Sequence, residues 1–308
     1  MKDRNEMFER ARAFVYKNAR PLDFARWSYF FENGTADEVM RILAAYQNED
    51  GGFGHAIEPD NWNPQSTPMG VWAAADRLRE IGWTDASHPV VQGMLRYLAS
   101  GAGFANGQWY NVAASNNDYP HAIWWQCESG DGVPSDNPTV SLAGFILRYG
   151  ENGSPLYRLA QDIAVRSVAS FLEQPATEMH ILNCYLELYH DCMAIEDFDL
   201  FELDPFREKL KEALQAAVCP ETEKWSTEYV CTPTSFFAPG QDLSEFLDRS
   251  LCELEAHHIP EIQQPDGSFP VRWQWYTDYK ECEIAANWWR SAIIINLLLF
   301  MKEYGDLN

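Results

Sequence analysis

Positive charge is what this chain has least of. Against 46 aspartates and glutamates stand 23 lysines and arginines, a formal net charge of -23 over 308 residues. Such a surface repels phosphate backbones and anionic membrane faces, so nucleic acid and acidic lipid are poor partners. A cysteine framework is also missing. Cys127, Cys184, Cys192, Cys219, Cys231, Cys252 and Cys282 make an odd seven, with no Cys-x-x-Cys pair, which argues against disulfide scaffolds and zinc ribbons. No His/Cys/Asp cluster has ligand spacing, so neither metal nor cofactor is expected. The opening MKDRNEMFERARAF lacks an apolar h-region. The longest apolar stretch, Ser291 to Met301, falls short of the roughly 20 residues a membrane helix needs. No membrane span is expected, and the expected compartment is cytoplasm. Strand alternation is scarce too: only Val271 to Tyr276 alternates, briefly and rich in Trp.

What is plentiful is aromatic and helical. Aromatics reach 14%, with 12 Trp, inside a 46% apolar composition; large rings either fill a core or line a pocket for an apolar or ring-shaped ligand. The period of apolar residues predicts helices over about Arg4–Lys17, Phe24–Phe31, Asp37–Tyr46, Pro68–Leu78 and Pro89–Leu98. Further helices are expected from Ser135 to Tyr149, Leu156 to Leu172, Met179 to Cys192, Phe206 to Val218, Leu243 to His257 and Glu283 to Tyr304. Thr67 before Pro68 reads as an N-cap followed by proline in the first turn, and Pro21 reads as the stop of the first helix.

Helix ends recur as polar or glycine-rich turns followed by an aromatic: Phe53, Trp109, Trp225 and Phe269. Two carry a fuller match, Gln47-x-x-Asp50-Gly51-Gly52-Phe53 and Gln263-x-x-Asp266-Gly267-Ser268-Phe269. Asp and Gly make the tight turn, Gly being free to take positive φ. Gln can bond the backbone of the adjoining turn, and the aromatic packs over the helix end. With these turns the chain resembles the squalene/terpenoid cyclase and protein prenyltransferase β-subunit superfamily, most closely over Tyr46–Leu78 and again at Gln263–Phe269. The resemblance implies an all-α fold: a six-fold α/α toroid of helix pairs, a single domain over 1–308, with a central cavity for a small-molecule ligand. It does not carry the family reactions. The Asp-x-Asp-Asp proton donor and the Asp-Asp-x-x-Asp magnesium run are absent, and Asp278-Tyr279-Lys280-Glu281-Cys282 lacks the zinc spacing of the prenyltransferases.

In such a ring the inner helices aim their N-termini, with their unpaired N–H groups, at one mouth. The candidate catalytic residues are therefore Glu58, Asp60, Asp136, Glu283 and His55, and the candidate substrate-binding residues are Trp62, Trp124, Trp288 and Asn287. Each also has a plain structural reading: Asp136 as a capping residue, Glu283 as an acid favoured by the helix dipole, Glu58 and Asp60 as a surface turn. Two function classes stay open. One is an enzyme acting on an apolar or isoprenoid-like molecule, or on a carbohydrate through two-carboxylate chemistry. The other is a non-catalytic toroid that binds a ligand or acts as a scaffold.

Overall fold

The computed structural model describes residues 4–128, 130–305 and 307. In chain order the elements are α1 (Arg4–Asn18), α2 (Pro21–Phe31), α3 (Ala36–Leu43), α4 (Pro68–Glu80), α5 (Pro89–Ala99), β1 (Phe104–Ala105), β2 (Gln108–Ala113), β3 (Gly132–Pro134), α6 (Asp136–Tyr149), α7 (Pro155–Glu173), α8 (Met179–Met193), α9 (Leu203–Ala217), α10 (Arg249–His258) and α11 (Cys282–Tyr304). Short 3-10 turns link several of them. The helix starts follow their caps. Thr35 Oγ1 accepts from Glu38 N and Thr67 Oγ1 from Gly70 N, satisfying donors that a helix start leaves unpaired. Pro21 opens α2 instead of merely closing α1: at the first helical position its missing N–H costs nothing.

The all-α expectation is corrected. About 60% of the chain is helical, and a small three-stranded antiparallel sheet, ordered β1-β2-β3, accompanies the helices. The segment read as a helix-ending turn at Trp109 is a hairpin. Asn106 and Gly107 sit at φ of 54° and 82°, the left-handed pair that a two-residue hairpin turn demands. β3 then pairs with β2 through Tyr110–Pro134 and Val112–Val133, with a register shift between. The six-fold toroid is corrected as well. Six complete helix pairs would need one helix more than the eleven among the described residues, and a hairpin stands where one pair should turn.

Two compact units make up the chain. One combines Met1–Ala45 with Val218–Asn308; the other is the continuous Tyr46–Ala217. In the first, α11 packs against α1, α2 and α10 and buries Ile294, Ile295, Leu298, Phe300 and Met301. By length and composition alone α11 could cross a membrane. In the second unit α6 is the central helix. Every residue from Pro138 to Leu147 is buried, and α4, α7, α8 and β2 pack around it.

The repeat turn occurs once in each unit, with the same wiring. In the continuous unit Gln47 Nε2 donates to Gly51 O and to Val90 O of α5, both at 2.9 Å. Asp50 Oδ1 accepts from Gly52 N, and Phe53 is fully buried. In the discontinuous unit Gln263 Nε2 donates to Gly267 O at 3.1 Å and to Met7 O of α1 at 2.8 Å. Asp266 Oδ1 accepts from Ser268 N, and Phe269 is fully buried. Gly51 and Gly267 share a φ of 94°. The glutamine thus does two jobs: it closes its own turn and fastens that turn to a carbonyl of a neighbouring helix.

Candidate functional site

Three helix faces in the continuous unit bring charge into the interior. On α4, Trp72, Asp76 and Arg79 recur at helical spacing, as Cys184, Glu187 and Asp191 do on α8. α6 contributes Ser141 and Arg148. Gly144 lets α6 and α8 approach closely: a Cβ there would meet Leu188 Cα and Asp191 Oδ2, each at 3.0 Å.

Arg79 is the hub. Its Nε and Nη2 bond Asp191 Oδ2 at 3.0 and 2.7 Å, its Nη1 reaches Glu187 Oε2 at 3.2 Å, and Nη2 also donates to Ser141 O at 2.9 Å. Arg148 Nη1 takes the other oxygen of Asp191 at 3.2 Å. Burial works against the Arg79 charge, but Asp191 and Glu187 outweigh it and hold the guanidinium pKa above its ordinary value. A buried pair of this kind stabilises little by itself, yet removing one partner strands the other.

Glu187 differs from Asp191. Trp72 Nε1 at 3.0 Å, Arg79 Nη1 and Ser141 Oγ all donate to Oε2. Among the described residues no donor reaches Oε1, and the side chain keeps 17% of its surface exposed. Burial pushes its carboxyl up to about 7; Arg79 opposes this, Asp76 adds to it, and Ser141 and Trp72 pull back down. Asp191, one turn on and fully buried, has both oxygens held by guanidinium groups. Two carboxyls four residues apart therefore sit in different environments: Asp191 has both oxygens bonded to guanidinium groups, Glu187 only one. Nearby, burial raises the Cys184 thiol well above its usual range and lowers His190 to about 4.

The residues singled out from sequence divide between the units. His55, Glu58, Asp60, Trp62, Trp124 and Asp136 belong to the continuous one; Glu283, Asn287 and Trp288 belong to the other. Two loops bring Asp60, Trp62 and Trp124 into one region. Trp62 N donates to Pro120 O, and Ala122 N, two residues before Trp124, donates to Asp60 O, both at 2.9 Å. Asp60 is buried and Trp124 exposed. Glu58 Oε1 accepts from Asp60 N, Trp62 Nε1 donates to Pro59 O, and His55, at a φ of 56°, meets Asn48 Oδ1 at 2.9 Å. These bonds shape the loop. Asp136 sits in the first turn of α6 and accepts from Gln108 Nε2 of β2 at 2.7 Å. In the discontinuous unit Glu283 is exposed in the first turn of α11, Asn287 Oδ1 accepts from Arg290, and the Arg20 guanidinium lies 5.7 Å over the Trp288 ring.

Sequence reading passed over Glu187, Arg79, Asp191 and Ser141. The available signal was the pair Glu187 and Asp191, four apart within Leu182–Cys192, whose other residues are apolar apart from Asn183 and His190. Charges inside an apolar helix need partners. Among the described residues no group of three or more His, Cys, Asp or Glu could hold a metal ion. No protein-family model, curated protein or solved structure matches the chain, so chemistry must be argued from the site itself.

Proposed function

We propose that the continuous unit is an acid–base site for a neutral, hydroxyl-bearing small molecule of carbohydrate type, with Glu187 as its proton donor. The observation that carries this reading is the asymmetry of that carboxyl. Three donors fix Oε2, while among the described residues none reaches Oε1 and the side chain is 17% exposed. A carboxyl raised to about 7 holds its proton near neutral pH and can deliver it to a leaving oxygen. Half-buried Trp72 donates its Nε1 to the same carboxyl and is the aromatic on which a sugar ring would pack. Asp76, close enough to raise Glu187 electrostatically, supplies a second carboxylate on the same face of α4. Within this cluster an isoprenoid diphosphate is less suited, because Arg79 and Arg148 are already engaged by Glu187 and Asp191.

The test pairs binding with turnover. Neutral disaccharides and isoprenoid alcohols are titrated against tryptophan fluorescence, with Trp72→Phe as the control that removes the local signal. Chromogenic glycosides are assayed in parallel. Disaccharides should quench the wild type, and Glu187→Gln should cost about 10²–10⁴-fold in rate, the usual worth of a general acid. Unchanged rate in Glu187→Gln, or binding of the isoprenoid alcohol alone, overturns the reading.

A further inference from the structure

In the discontinuous unit two cysteines meet across the base of a loop. Cys219 N donates to Cys231 O at 2.9 Å. Trp225 lies between them in sequence; it is buried, and its Nε1 donates to Cys219 O at 2.8 Å. Both polar groups of the Cys219 backbone are thereby fixed, one by the far side of the loop and one by its interior. The bond lengths along a single N–H···O=C link of this length keep the two Cα atoms within roughly 7 Å of one another, the outer limit of the span that a disulfide bridges. Both residues are half-buried, whereas Cys127, Cys184, Cys192 and Cys252 are buried. The Cys219 thiol points to Glu221, with Sγ 3.5 Å from Oε2, and Lys224 pairs with that same carboxylate at 3.2 Å. The thiol therefore lies in a partly exposed, polar setting and not in packed core.

We propose that Cys219 and Cys231 form a peroxide-responsive dithiol that closes the 219–231 loop as a disulfide. The Cys219 thiolate attacks one oxygen of a peroxide; the O–O bond breaks, and the departing hydroxide takes up a proton to leave as water. Cys219, oxidised by two electrons, is then a sulfenic acid. The Cys231 thiolate attacks that sulfur, the S–O bond breaks, and a second water leaves. Two thiols and one hydrogen peroxide become one disulfide and two waters.

The experiment uses the full chain exposed to hydrogen peroxide, alkylated and digested with trypsin without reductant. Trypsin cuts after Lys224 inside the loop, so the bridge appears as two peptides joined through Cys219 and Cys231. Their joint mass is two hydrogens below the sum of the reduced forms, and they separate on reduction. This pair should become the main form of both cysteines. Cys231→Ser should leave Cys219 as a sulfenic acid that dimedone labels. The proposal is overturned if Cys219 runs on to sulfinic acid in the wild type, if both cysteines remain alkylatable, or if Cys219 is found joined to Cys282. The wild-type map decides the matter even where the variant fails to fold.

Discussion

Gly51 and Gly267 are held in place by their neighbours as much as by their own backbone. A Cβ on Gly51 would lie 2.1 Å from Gly93 O, and one on Gly267 would lie 2.2 Å from Arg10 O. At a φ of 94° a β-branched side chain adds about 1–3 kcal/mol of backbone strain before any clash is counted. Gly51→Val and Gly267→Val should each lower the urea midpoint strongly. Gly82→Ala, also at positive φ but with nothing within 4 Å of its added Cβ, should cost only the milder backbone term. Equal midpoints for Gly51→Val and wild type would mean that the turn relaxes freely. These turns were legible in the sequence because Asp, Gly and Gln act within a few residues of one another. Glu187 was not, because its partners Ser141, Trp72 and Arg79 lie 46, 115 and 108 positions away.

Among the helices, α8 concentrates opposing titrations. Glu187 holds its proton in the folded state up to about pH 7, against an ordinary value of 4.5. Its contribution to stability is present in full below 4.5 and is lost as pH rises through 7. His190 goes the other way, lowered from 6.5 to about 4; its contribution is present above 6.5 and is lost as pH falls through 4. Each shift is worth on the order of 3 kcal/mol, and the two slopes oppose one another between 4.5 and 6.5. From this pair, wild-type stability should change little across that window. Glu187→Gln should become more stable as pH rises from 4 to 6.5, and His190→Gln less stable from 4.5 to 7. Urea midpoints taken every half unit would measure this, and matching slopes in the two variants would refute it. At this scale most helices were readable from apolar period and caps, but the one expected to open at Leu243 begins only at Arg249, after a short 3-10 turn over Leu243–Glu245. The strands were not. β2 buries Trp109 and Val112, an odd interval, because the register shift after Tyr110 breaks the period of two on which strand reading depends. The hairpin signal, Asn106-Gly107, is present in the sequence, within a segment whose spacing to Trp109 matches the helix-ending turns of the repeat.

For the molecule as a whole, the division into units was the least legible feature. Bonds such as Gln263 to Met7 join segments that no local pattern connects. The continuous unit contains the elements that pack most closely on its core helix α6, namely α4, α7, α8 and β2. An excised Tyr46–Ala217 fragment should therefore unfold cooperatively in urea and keep a near-ultraviolet tryptophan spectrum. A gradual, featureless transition would mean that this unit depends on residues outside it. The discontinuous unit has a different history in the cell. α1 is translated first, yet the side chain that ties down its Met7 carbonyl is made 256 residues later. At 5–20 residues per second the wait is roughly 13–50 s. Through that interval Met7, Ala11, Phe14 and Val15, buried in the finished fold, emerge from the ribosome without α11 to cover them, while Tyr46–Ala217 is completed behind them. The opening helix of this chain is thus the segment on which a ribosome-bound chaperone would have most to hold.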